Sequence, residues 1–151
     1  ALLQSARIKP AMDQVECHPF FPQGQLLEAC TSSQVALTAY SPLGSGDRSD
    51  AMKSEDEPQL LSHPEIAAIA KKHQASAAQV LIAWALGRNT VVIPKSTSAK
   101  RIAENFAALK LQLDADDLAK LADLELGYRL INGKFFAFEG SPYTLENLWD
   151  E

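Results

Sequence analysis

Three short apolar segments, at residues 12–17, 35–40 and 90–93, each precede a stretch with helical spacing, and this alternation constrains the chain more than any other feature. Strand and helix in repeated order mean parallel βα units, because a parallel neighbour is reached only through a crossover. Met12 to Cys17 is introduced by Pro10 and stopped by His18-Pro19. Val35 to Tyr40 is mostly apolar without strict alternation, which suits a strand covered on both faces. Thr90-Val91-Val92-Ile93 is closed by Pro94. Three parallel strands expose two open edges, a poor stopping point for a stable sheet.

The intervening stretches read as helices. One spans about Gln25 to Cys30, after the breakers Pro22 and Gly24. Another begins at Pro64 and carries Ile66, Ile69 and Ala70 on one face. A third opens with Ser76 and Gln79 in capping-box spacing, buries Val80, Leu81 and Trp84, and stops at Gly87. Ser98 can cap a fourth, whose apolar stripe is Ile102, Phe106 and Leu109. The last starts at Asp114, with Asp116 and Asp117 as a helix-start acidic pair. Ser41 to Pro58 is loop by composition, and residues 127–151 form an irregular aromatic tail expected to pack over something. The opening residues, from Ala1, read as the end of an amphipathic helix without an N-cap.

Composition excludes several classes. At 151 residues, with 46% hydrophobic and 22% charged residues, the chain matches an ordinary globular domain. No apolar run approaches the roughly 18 residues needed to cross a membrane. A net charge of −5 argues against a broad electrostatic hold on nucleic acid, but leaves room for a local anion site. Cys17 and Cys30 lack metal-ligand spacing and read as buried thiols in a reducing cytosol. No charged-then-apolar leader opens the sequence, so a cytoplasmic location is expected. His18 reads as structural, and His63 and His73 as solvated.

Chemistry concentrates after the second and third strands. Pro94-Lys95-Ser96-Thr97-Ser98 delivers a cation and hydroxyls to a helix start, where free backbone N–H groups attract an anion. Arg101 can fork two donors onto phosphate oxygens, and Glu104 and Asn105 share its face. The same spacing also suits a surface helix with ordinary charges. Tyr40-Ser41-Pro42-Leu43-Gly44-Ser45 supplies a flat ring, hydroxyls and a glycine that lets backbone approach a ligand.

Gln14-Val15-Glu16-Cys17-His18-Pro19, Ala39-Tyr40-Ser41-Pro42-Leu43-Gly44-Ser45, Val92-Ile93-Pro94-Lys95-Ser96 and Arg101-Ile102-Ala103-Glu104-Asn105-Phe106 occur in this order. Together they closely resemble the C-terminal half of the aldo-keto reductase family, over about Ala1 to Arg129. The resemblance implies an α/β fold, the C-terminal part of a TIM (β/α)8 barrel, with three parallel strands corresponding to strands 6–8. It implies a partial NADP-binding domain over 1–151, with 127–151 as a C-terminal loop. NADP(H) would be the cofactor and a small carbonyl compound the substrate. Gln14 would hold the nicotinamide carboxamide and Tyr40 would stack on its ring. Ser41, Leu43, Ser45 and Asp47 would line the pyrophosphate loop. Lys95, Ser96, Ser98 and Arg101 would bind the 2′-phosphate with a backbone contact from Thr97, while Glu104 and Asn105 would face the adenine. Asp13 departs from the Asn that many members carry.

The family's catalytic Asp, Tyr, Lys and His lie on earlier strands, and this sequence holds none of those segments. No residue is therefore assigned a catalytic role, and none a metal. A whole barrel needs about eight strands and roughly 250 residues. Two readings follow. The chain is the C-terminal portion of an NADPH-dependent reductase whose N-terminal half lies elsewhere. Alternatively it is a half-barrel that binds a nucleotide or a partner protein, covers its edges with another chain or a second copy, and catalyses nothing.

Overall fold

The computed structural model describes residues 2–54 and 56–149, Ala51 in its backbone only. A short helix α1 (Leu2–Ser5) precedes β1 (Met12–Glu16), and α2 (Gly24–Ser32) leads to β2 (Ala36–Tyr40). A long connection with a 3-10 turn at Asp50–Met52 then reaches α3 (Pro64–Lys72) and α4 (Ala77–Gly87). After β3 (Val91–Val92) come α5 (Ala99–Ala107) and α6 (Ala115–Ala122).

The strands lie in the order β1-β2-β3, all parallel. Met12 stands opposite Ala36, Glu16 opposite Tyr40, and Thr38 opposite Val91. Because side chains alternate across a strand, Leu37 and Ala39 point with Val15 into the helices, while Gln14, Thr38 and Tyr40 share the other face. The core on the helix side joins Phe20, Leu37, Ile66, Val80, Leu81 and Trp84. On the other face Met12, Val91 and Ile93 are nearly half exposed. The central strand is buried at Leu37, Thr38 and Ala39, as its mostly apolar run without strict alternation predicts.

The helix faces follow the sequence: Ile66, Ile69 and Ala70 are buried, as are Val80, Leu81 and Trp84. The Ser76–Gln79 capping box closes on both sides. The stops differ. Gly87 is the last helical residue of α4, and Asn89 takes the left-handed conformation (φ 62°) that turns the chain. Gln34 and Gln74 do the same after α2 and α3 (φ 57° and 52°). Each is followed by an amide that bonds five residues back: Val35 to Cys30, Ala75 to Ala70, and Thr90 to Ala85. Thr90 also donates its hydroxyl to the Ala85 carbonyl at 2.6 Å, and with its amide committed there too, β3 is Val91–Val92, shorter than the expected 90–93.

Two expectations fail. The stripe on α5 is open: Ile102, Phe106 and Leu109 are 53%, 74% and 60% exposed. The helix packs against α4 with its other side, and among the described residues nothing covers the stripe. His63 and His73, expected to be solvated, are partly exposed but engaged. His63 accepts the Glu65 amide as the cap of α3 and sets its ring edge-on to Phe20 at 5.7 Å. His73 bonds the buried Asp117 carboxylate at 2.6 Å.

Asp117 is thus more than a helix-start acid. It accepts from Lys72 at 2.7 Å and closes a capping box with Asp114, joining α3 to α6. Burial alone would raise its pKa, but hydrogen bonds from Lys72, His73 and the Asp114 backbone outweigh it and hold the carboxyl well below the usual range. Asp117→Ala is expected to cost about 2–4 kcal/mol by urea unfolding, from the lost cap and the unpaired partners. A depressed folded-state pKa gives stability that is present above the unfolded value, about 3.9, and fades as pH falls below it. The gap between wild type and variant should therefore narrow below about pH 4.

Candidate functional site

The loop after β2 and the loop after β3 face each other across one groove of about 500 Å³. Ser41, Leu43, Ser45 and Asp47 form one wall, and Lys95, Ser96 and Thr97 the other. Arg101, Glu104 and Asn105 of α5 close its end. Lys95 Nζ reaches Asp47 Oδ2 at 2.9 Å, a bridge between the two loops that the separate motifs did not announce. This lysine, with a smaller pull from Arg101, keeps the Asp47 carboxyl below its ordinary pKa.

The local backbone explains the shape. Ser41, Gly44 and Ser45 all have positive φ (49°, 86° and 47°), so the first loop doubles back, and Ser45 Oγ bonds Ser41 Oγ at 2.7 Å. In the second loop Ser96 Oγ accepts the Ser98 amide at 3.2 Å, ahead of α5. Cations, hydroxyls and a helix start converge here, a donor set suited to phosphate. Glu104 and Asn105 add an acceptor and an amide beside it.

Three expected residues lie apart from the groove. Ser98 caps α5, its hydroxyl accepting the Arg101 amide. Gln14 and Tyr40 lie on the open sheet face, Gln14 exposed and Tyr40 half-buried at the strand tip. Burial and the nearby Glu16 raise the Tyr40 pKa, with Arg129 opposing them. Conversely, the groove draws in Leu61 and the start of α4, its N-cap Ser76 with Ala77 and Ala78, where the sequence showed only a helix start. The run of small side chains there was the available signal.

The tail packs unevenly. Glu16, fully buried, accepts the Leu130 amide at 2.8 Å, the Ile131 amide at 3.0 Å and His18 Nε2 at 2.9 Å. Trp149 lies on the Arg129 guanidinium at 3.9 Å and donates to the Asn132 carbonyl at 3.0 Å. The rings expected to cover something stay open instead, with Phe135, Phe136, Phe138 and Tyr143 between 45% and 66% exposed. Gly133 (φ 80°) runs so close to Leu148 that a Cβ would stand 2.2 Å from its Cδ2. Gly133→Ala is expected to loosen the segment, measured as faster tryptic cleavage after Lys134 with an unchanged core melting temperature.

Among the described residues no helix is long and apolar enough to cross a membrane. Cys17 and Cys30 are buried and free.

Residues 1–125 match the sequence profile of the Aldo/keto reductase family. The chain is 50% identical over 150 residues to the Aldo/keto reductase slr0942 of Synechocystis sp., an alignment covering 99% of this chain and 46% of that protein. It is 40% identical over 130 residues to aldo-keto reductase family 1 member A1 of Cricetulus griseus, and 38% to that of Homo sapiens. These alignments cover 86% of this chain, and 40% and 39% of the relatives. The chain therefore spans less than half the length of these curated relatives. Members of the family are oxidoreductases with a TIM-barrel fold that act on small carbonyl compounds with a nicotinamide cofactor. With three parallel strands flanked by helices as one part of such a barrel, the chain belongs to the aldo/keto reductase family.

Proposed function

We propose that this chain is the C-terminal, NADP(H)-binding portion of an oxidoreductase that reduces aldehydes and ketones to alcohols. Residues 1–151 would contribute strands 6–8 of the barrel, and 127–151 its C-terminal loop. The observation that carries the reading is the single groove in which Asp47 and Lys95 bridge two consecutive strand-end loops, with Arg101 beside them.

The residues fit the cofactor. Lys95, Ser96, Ser98 and Arg101 would hold the 2′-phosphate with a backbone contact from Thr97, Ser98 also capping α5. Glu104 and Asn105 would face the adenine. Ser41, Leu43, Ser45 and Asp47 would line the pyrophosphate, and Gln14 and Tyr40 would receive the nicotinamide on the shared sheet face. Bound there, the cofactor supplies the hydride for the carbonyl carbon. This chain's residues bind and orient, and proton transfer is left to side chains of the earlier strands. Those strands would also cover the open sheet face and the α5 stripe. Two free thiols accord with a cytoplasmic location.

A second reading, a non-catalytic half-barrel that binds a nucleotide or a partner protein, draws on those same open surfaces, which a second copy of the chain could cover. Kinetics separate the two. NADPH consumption that depends on an added aldehyde, in the full-length protein, supports the reductase. NADPH binding with self-association and no turnover supports the half-barrel.

A further inference from the structure

Arg48 sits where the groove loop meets the C-terminal segment. Its side chain is 7% exposed and its guanidinium is fully engaged. Nη1 donates to the carbonyls of Gly44 at 3.1 Å and Ser45 at 3.0 Å, both in the strained loop that walls the groove. Nη2 donates to the Leu130 carbonyl at 3.0 Å and pairs with Glu57, itself 5% exposed. A second contact joins the same partners. Leu130 Cδ1 lies against Gly44, 3.4 Å from where a Cβ would stand. Leu130 is also the residue whose amide Glu16 accepts, so it is held from the β1 end and the β2 loop at once.

Left-handed serines at 41 and 45 do not hold their conformation by intrinsic preference; tertiary contacts must impose it. Arg48 supplies two of those contacts, and the same ion fixes Leu130. Downstream, Trp149 on Arg129 and Leu148 against Gly133 close the segment back on its own root, so the seat of residues 130–133 fixes the rest.

We propose that Arg48 is a positioning residue that ties the groove wall to the seat of the 130–149 segment, so that a dinucleotide in the groove and a carbonyl substrate held by the segment each tighten the other's binding. Coupling of this kind is reciprocal by linkage. It rests on the cofactor reading above, and the test keeps the two apart.

In the full-length protein, amide hydrogen exchange at Leu130 and Ile131 is compared with and without saturating NADPH, whose binding is read separately by fluorescence quenching. NADPH is expected to slow both amides about ten-fold in wild type and less than about two-fold in Arg48→Ala, which still binds NADPH through the opposite wall. In that variant KM for 4-nitrobenzaldehyde should rise about ten-fold while kcat changes less than about three-fold. Arg48→Lys, a single ammonium that cannot serve both sets of carbonyls, should reproduce the loss. Slowing that survives in Arg48→Ala, a Lys variant that behaves as wild type, or a wild type that binds NADPH without change at 130–131 overturns the proposal. Should Arg48→Ala fail to fold, the lysine variant and the wild-type comparison decide it. A wild type that binds no NADPH overturns the cofactor reading and this inference with it.

Discussion

Arg101→Ala is expected to weaken NADPH binding about 10- to 100-fold, the usual effect of losing a charge-assisted hydrogen bond, and to change NADH binding less than about three-fold. The asymmetry carries the information. Arg101 lines the groove with Glu104 and Asn105, and on the proposed reading the 2′-phosphate that NADH lacks would lie there. Titration of both cofactors against wild type and variant reads it directly. Equal losses for the two would remove the 2′-phosphate assignment. Lys95 is expected to respond less to the same change, because it meets Asp47 across the groove and must exchange one anion for another.

Glu16→Ala should be the most damaging substitution for stability, at about 3–5 kcal/mol. The carboxylate is fully buried and accepts the amides of Leu130 and Ile131 together with His18. Alanine leaves two backbone donors and an imidazole nitrogen without partners, and a void beside Tyr40. Glu16→Gln keeps one carbonyl oxygen and should cost about half as much. Urea unfolding of both variants measures this, and a loss below about 1 kcal/mol for alanine would mean that Glu16 does not root the segment.

Local features of the sequence carried the fold well. The capping box at Ser76 and Gln79, the start at Asp114, and the buried faces of α3 and α4 depend on residues within four positions of one another, and all are present. The groove was legible for a related reason: its two loops each end a strand, and parallel pairing puts strand ends side by side. Ten of the thirteen expected site residues line it, namely Ser41, Leu43, Ser45, Asp47, Lys95, Ser96, Thr97, Arg101, Glu104 and Asn105.

What escaped depends on partners far along the chain. Arg48 carries no local signal in a stretch that reads only as loop, and its partner Leu130 lies 82 residues away. His73 and Asp117, 44 residues apart, read as a solvated imidazole and a helix-start acid. The stop at Asn89 escaped because glycine is the commoner left-handed residue and Gly87 stood nearby. The stripe of Ile102, Phe106 and Leu109 has the periodicity of a covered face, but periodicity does not say what does the covering.

The groove's lining runs from Ser41 to Asn105 without borrowing from β1 or from the tail. Heredity can therefore move it as one uninterrupted cassette. On the proposed reading, a crossover upstream of Tyr40 and another beyond Phe106 would exchange dinucleotide preference between relatives while leaving each recipient its own C-terminal segment, with Arg48 and Leu130 as the seam where the grafted and resident parts must agree.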